Sequence, residues 1–393
     1  MPDISVLDVR LHGKAIATLT HLQGDRTIFA FNQEYIEDNS RSTLSLSYKD
    51  DLGGLITNSR PTQRVVPPFF SNLLPEGHLR HYLADRAGVN PQRELFLLWM
   101  LGQDLPGALS IHPMAGEALP PGAAQDLPSN ARPNAYRFSL AGVQLKFSAL
   151  ENSNKRGGLT IPAEGVGGSW IVKLPSQQFA GVPENEFSMM TLAKMIGMDV
   201  PNINLIDIAA INGMPEGIGE LKGHALAISR FDRTTEGPVH TEDFAQVFGV
   251  FPDDKYKGAS YASIGRVIGI ETGDAGTAEY IRRLVFSALI GNGDMHLKNW
   301  SLIYPDRRTA ALSPPMISSP QSPTSRARIQ QRLTIHAQRR WLNSALMSSD
   351  TLRPKHSCPR NSSSIPRKRQ CGASRRYGTR KKITFRLPTR SKS

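Results

Sequence analysis

Apolar positions alternate along the start of the chain. Val9 and Leu11 precede a turn at His12-Gly13-Lys14, and Ile28, Phe29 and Phe31 follow a turn at Gly24-Asp25. A period of two punctuated by Gly turns predicts antiparallel strands, hence a small β-rich module. A Pro-bounded segment, residues 67–77 (PPFFSNLLPEG), leads into helix-compatible spacing over 78–88 and 91–101, and these helices are expected to cover the sheet. From Met114 to Pro133 apolar periodicity disappears among Ala, Pro, Gly, Asp and Asn, which predicts a linker and a domain boundary near residue 130.

After the linker the spacing predicts a strand-turn-strand over Tyr136 to Leu150, a strand at Trp170 to Leu174, and a helix opened by Pro183 that runs to about Met195. Further strands are expected at Asn204 to Ala210 and Ala225 to Phe231. From Glu242 onward the segments read as helical, and Ala278 to Ile290 places Ile281, Leu284, Val285, Ala288 and Leu289 on one face. Strands first and helices later predict an α+β domain of two lobes.

The net charge of +13 changes this picture only at one end. From Ser313 to Ser393 there are 19 Lys and Arg against one acid, Asp350, while the preceding 312 residues hold 28 basic and 33 acidic side chains. A nucleic-acid-binding inference from whole-chain charge is therefore unsound, and only the tail could contact phosphates this way. In that tail Trp341, Tyr377 and Phe385 are the only Phe, Trp or Tyr residues, sparse for base stacking. Both cysteines, Cys358 and Cys371, also lie there, so residues 1–312 hold no disulfide or thiolate metal site. With no export signal at Met1-Pro2-Asp3-Ile4 and no apolar run long enough to span a bilayer, the expected location is the cytoplasm.

Candidate chemistry centres on Gly291-Asn292-Gly293-Asp294-Met295-His296-Leu297-Lys298-Asn299, between a helix and the apolar strand Trp300 to Tyr304. Asp294 and Asn299 stand five apart, the spacing of a kinase loop in which Asp accepts a hydroxyl proton and Asn holds magnesium. Lys298 would offset charge on a transferred phosphoryl group. The same spacing suits a polar turn whose Asp and Asn bond the local backbone. Upstream, Ser139-Leu140-Ala141-Gly142-Val143-Gln144-Leu145-Lys146 reads as a phosphate loop or an ordinary hairpin turn. Lys173 is the one charge in an apolar strand, and Glu186 lies in the first turns of the next helix, where it either pairs with Lys173 or is solvated beside the helix dipole.

The strings FFSNLLPEG, RFSLAGVQLKFS, WIVKLP, ENEF, ISRFDR and LIGNGDMHLKNWS, in this order over residues 1 to about 312, resemble the HipA family, bacterial serine/threonine protein kinase toxins of toxin–antitoxin modules. The resemblance implies an α+β, protein-kinase-like two-lobed fold behind a β-rich subdomain. Its domains would be an N-terminal subdomain (1–113), a linker (114–133), a kinase-like domain (134–312) and a basic tail (313–393). It makes Asp294 the catalytic base and Asn299 a magnesium ligand. ATP phosphates would meet Ala141, Gly142, Val143, Gln144, Leu145, Lys146 and Lys173, with Glu186 pairing the latter. Ser229, Arg230 and Phe231 would form the adenine hinge, and His296, Leu297, Lys298 and Asn299 would complete the nucleotide site. Ser139 matches an autophosphorylated serine, where roughly two added negative charges would repel the triphosphate. Implied partners are a protein substrate, such as an aminoacyl-tRNA synthetase, and a HipB-like antitoxin, with DNA reached only through the antitoxin. A catalytically dead antitoxin-binding co-repressor is the alternative.

One departure stands out: such kinases need a second acidic magnesium ligand just after the strand that follows the loop, and none is present. Asp306 reads as the turn of a hairpin. Read in another frame from about Pro314, Met316-Ile317 must encode GAT, an Asp, and codon choice permits PYDFVSTIPYIPGEDSA nearby. The Ser-, Pro- and Arg-rich composition also suits a native disordered basic tail, but the expectation preferred is an out-of-frame, disordered product replacing a truncated helical part.

Overall fold

The computed structural model describes residues 5–114, 146–151, 159–161, 168–176, 180–214 and 221–316. The expectations for Ser139, Ala141, Gly142, Val143, Gln144 and Leu145, for the linker from 115, and for the tail from 317 fall outside the described residues.

The first sheet is antiparallel, built from β1 (Ser5–Leu11), β2 (Lys14–Leu22), β3 (Arg26–Phe31), β4 (Thr62–Gln63) and β5 (Leu109–Pro113), in the order β4-β3-β2-β1-β5. Its first hairpin turns on His12 and Gly13, both at positive φ (51° and 78°), the geometry a tight two-residue connection requires. Leu7, Val9 and Leu11 point into a core closed by helices Gly77–Ala87 and Glu94–Leu101 through Leu79, Leu83, Leu95 and Leu98. The helices over the sheet were legible from the apolar spacing.

The second sheet comprises β6 (Lys146–Glu151), β7 (Leu159–Thr160), β8 (Trp170–Lys173), β9 (Ile203–Asp207), β10 (Ile211–Asn212) and β11 (His224–Ser229), in the order β10-β7-β6-β8-β11-β9. Helix Val182–Met195, opened by Pro183, packs Met190 and Ala193 against Leu226 of β11. After a small hairpin, β12 (Arg233–Thr234) with β13 (Gly237–Pro238), comes a three-stranded sheet of β14 (His240–Asp243), β15 (Ser301–Tyr304) and β16 (Ala311–Leu312). Asp306 caps the β15–β16 turn, accepting from the amides of Arg308 and Thr309.

The helical reading from Glu242 onward needs one correction. His240–Asp243 is a strand paired with β15, sixty residues away, and this tertiary pairing overrides local pattern. The long helix Tyr261–Ile290 is broken at Gly273 (φ 67°, ψ −160°). Its second half buries Tyr280, Leu284 and Ser287 but leaves Ile281, Val285 and Leu289 exposed, Leu289 by 80%. The apolar face expected there is therefore split, with one edge uncovered.

Glu242 of β14 is fully enclosed, accepting from Ser45 Oγ (2.5 Å), the Leu46 amide (3.0 Å) and the Tyr304 hydroxyl. Burial pushes its carboxyl up to about 7 despite those donors. A carboxyl raised above its unfolded value contributes stability that is complete below about pH 4.5 and lost as pH rises through 7. Asp243, also raised, acts in the same direction at lower pH, while the buried His240 acts oppositely. Comparison with Glu242→Gln isolates the one group. The stability difference between wild type and E242Q should fall by a few kcal/mol from pH 4.5 to 7 in urea titrations, and a flat difference would refute the assignment.

Candidate functional site

Two groups of charged side chains meet where the second sheet approaches the 294–299 loop. On the sheet, β6 and β8 run antiparallel in a register that sets Lys146 directly opposite Lys173. Like charges in that position destabilise a sheet unless something anionic compensates them. Glu186, from the first turns of helix Val182–Met195, supplies part of that compensation through an ion pair with Lys173 Nζ. Burial, reinforced by the ammoniums of Lys173 and Lys298, lowers Lys146 to about 7. A bound anion would reverse that balance.

The second group is the loop itself. The Tyr256 hydroxyl donates to Asp294 Oδ1 (2.8 Å), and His296 Nε2 lies 3.6 Å from the same oxygen. Burial is the largest influence lowering His296 to about 4; Asp294 opposes it, and Lys255 and Lys298 reinforce it. The Asp294 carboxylate remains 43% exposed, available to a ligand. The loop also closes on itself as a polar turn: the Asp294 amide donates to Asn292 Oδ1 (3.0 Å), and Asn299 Nδ2 donates to the Asp294 carbonyl. Turn-making and exposure of the carboxylate thus coexist.

Asp294 and Asn299 line a pocket with Arg283, Ser287, Asn292 and Met316. Lys146 and Lys173 are outside that lining; the link between the two groups is Lys298, whose charge acts on Lys146. Leu297 is in the apolar core. Lys298 Nζ is buried against Glu76 Oε1 (2.7 Å) and the Asn72 carbonyl (2.9 Å), so protein groups already occupy the ammonium read as a phosphate contact. At the end of β11, Ser229 exchanges bonds with Asn202, and the Arg230 amide donates to the Ser169 carbonyl (2.8 Å), with Phe231 half-buried beyond them. The Arg230 side chain, 1% exposed, is turned away into an ion network with Asp104 and Asp232.

Sequence reasoning missed Glu76, Lys255 and Tyr256. Glu76 and Lys255 are 179 residues apart, and only the string FFSNLLPEG, which contains Glu76, marked that residue. Among the described residues no group of three or more His, Cys, Asp or Glu is arranged to hold a metal ion, and no helix is long and apolar enough to cross a membrane.

A family model described as the HipA N-terminal domain matches residues 7–112, and one described as the HipA-like C-terminal domain matches 138–358. Y4dM of Sinorhizobium fredii, a protein named as a kinase, is 70% identical over 314 residues, covering 80% of this chain and 76% of its own. The serine/threonine-protein kinase toxin HipA of Shewanella oneidensis is 27% identical over 317 residues, 71% of this chain and 68% of its own. The solved complex of HipA, HipB and operator DNA from S. oneidensis MR-1 matches with a TM-score of 0.57 at 23% identity, covering 80% of this chain and 76% of that one. The fold is accordingly α+β and kinase-like, and this chain belongs to the HipA family.

Proposed function

We propose that this chain is built as an ATP-dependent serine/threonine protein kinase of the HipA type. The observation that carries the reading is the cross-strand pair Lys146 and Lys173, steadied by Glu186, beside a loop that exposes Asp294. Two cations facing each other across a ladder hold an anion such as a triphosphate, and Lys146 gains a proton as the anion arrives. Asp294 accepts the proton of a protein hydroxyl as that oxygen attacks the γ-phosphorus and the bond to the bridging oxygen of ADP breaks. The Tyr256 hydroxyl fixes the carboxylate that does this, with the His296 ring packed beside it. Ser139 is the proposed autophosphorylated residue, and the proposed setting is the cytoplasm, with an aminoacyl-tRNA synthetase as one class of substrate.

Magnesium is the point of misfit. A hard divalent ion takes oxygen ligands, and the pocket offers Asp294 and Asn299 but no second carboxylate, with Met316 among its lining residues. We attribute the misfit to a change of reading frame near Pro314. The support is the missing second carboxylate itself; the C-terminal family match, which runs on to 358, counts against it. Translating the underlying DNA in three frames across the Pro314 codon tests this; an uninterrupted frame in independent copies of the gene overturns it.

The misfit favours a second reading, a partner that binds a HipB-like antitoxin, and DNA through it, without chemistry; the matched S. oneidensis structure contains HipA together with HipB and operator DNA. Incubating the chain with γ-labelled ATP separates the two. Label on Ser139 that falls roughly 10²–10⁴-fold in Asp294→Asn, with an unchanged melt, supports the kinase reading. Absence of label with antitoxin binding retained supports the second.

A further inference from the structure

We propose that Glu76, supplied by the N-terminal module, is a positioning residue for Asp294, acting as a clamp on the two segments that orient that carboxylate. The proposal rests on the kinase reading for the role of Asp294, but the clamp itself is a matter of geometry. Glu76 precedes helix Gly77–Ala87 at its N-cap position, yet its side chain makes no capping bond. Its carboxylate is instead divided between two lysines: Oε2 to Lys255 Nζ (2.6 Å) and Oε1 to Lys298 Nζ (2.7 Å).

These lysines belong to the two segments that matter. Lys298 is in the 294–299 loop, and its ammonium also bonds the Asn72 carbonyl, four residues before Glu76. Lys255 adjoins Tyr256, whose hydroxyl holds Asp294 Oδ1. The segments are tied to each other by the Leu297 amide donating to the Lys255 carbonyl (3.2 Å). Asn72 fixes the base of the clamp, its side-chain amide donating to the carbonyls of Pro68 and Val250. The two lysines outweigh the burial that would raise the Glu76 carboxyl and hold it down at about 2, so the clamp is charged at neutral pH. Removing the charge would leave two largely enclosed ammoniums to repel each other, loosening both segments together.

The test is hydrogen–deuterium exchange on the full chain, with kinetics alongside. In Glu76→Gln, peptides covering 252–257 and 291–300 should exchange at least about tenfold faster while residues 5–31 are unchanged, with Glu76→Asp between it and wild type. If the wild-type chain transfers phosphoryl groups, kcat should fall at least about tenfold in E76Q while the KM for ATP stays within about twofold, and E76D should recover part of it. Should the wild-type chain transfer none, the kinase reading fails while the exchange comparison still decides the clamp. Unchanged exchange over 252–257 and 291–300, or an equal rise over 5–31, overturns the proposal. If Glu76→Gln does not fold, Lys255→Gln, which leaves the Lys298 half intact, must show the same local acceleration, and its absence overturns the proposal equally.

Discussion

Arg230→Met should destabilise the protein by about 3–5 kcal/mol, the usual cost of stranding buried charges by deleting their partner. The Arg230 guanidinium donates to Asp232 through Nε (3.0 Å) and one terminal nitrogen (2.8 Å), and to Asp104 Oδ1 (3.1 Å) and Ser148 Oγ (3.2 Å) through the other. Burial alone would raise the Asp232 carboxyl; Arg230, Arg233 and the Gly107 amide outweigh it and hold the group below the usual range. Gly107 has no room for a side chain: its φ is +76°, and a Cβ would come within 2.7 Å of the Thr241 amide nitrogen. The network therefore fixes the 104–107 loop of the first module to the segment after β11 and, through Ser148, to β6. In guanidinium titrations the midpoint should drop without a change of slope. Adding Asp104→Leu to Arg230→Met should cost less than the sum of the separate losses, because the second change removes one of the two buried carboxylates that the first left to Arg233 alone. Strict additivity, or a loss under about 1 kcal/mol, would show that the network does not hold the modules.

Arg230 also marks where reading the sequence reached its limit. Its string, ISRFDR, was legible as part of a pattern, but a pattern does not say that the guanidinium is spent on Asp104, 126 residues earlier. Local signals survived well. The His12-Gly13 turn and the Pro-opened helix at 183 are properties of short segments, and each occupies the structure as read, while Asp294 and Asn299, five apart, line one pocket. The Lys173–Glu186 pair was legible for a related reason: a strand followed directly by a helix leaves few places for the two ends to meet. The opposition of Lys146 to Lys173 depends on strand register, and the Glu76 clamp on how separate modules dock; neither has a periodicity to betray it. Glu242 was misread for the same reason, since its strand is defined by β15 rather than by its own residues.

Met316→Asp should add divalent-cation affinity to the pocket of Asp294 and Asn299, which among the described residues has no second carboxylate. The backbone leading there is pinned: the Ser313 amide donates to the Ser301 carbonyl (3.1 Å), and the Arg283 guanidinium donates to the Ser313 carbonyl (2.7 Å). Three residues on, Met316 lines the same pocket as Asp294 and Asn299 and is 42% exposed, so a shorter, acidic side chain can be accommodated without opening a core. A second carboxylate beside Asp294 adds like-charge repulsion, and the metal-free variant should melt below wild type. Titration with manganese, a hard octahedral ion, should reverse that loss: at 100 times its Kd a ligand that binds only the folded state adds about 2.7 kcal/mol. Wild type and Met316→Asn, which lack the charge, should shift at least about tenfold less at the same concentration. Removing the neighbouring amide, as Met316→Asp with Asn299→Ala, should forfeit most of the gain. If manganese stabilises all of these variants equally, position 316 does not face the ion, and the frame change near Pro314 loses its structural consequence at this site.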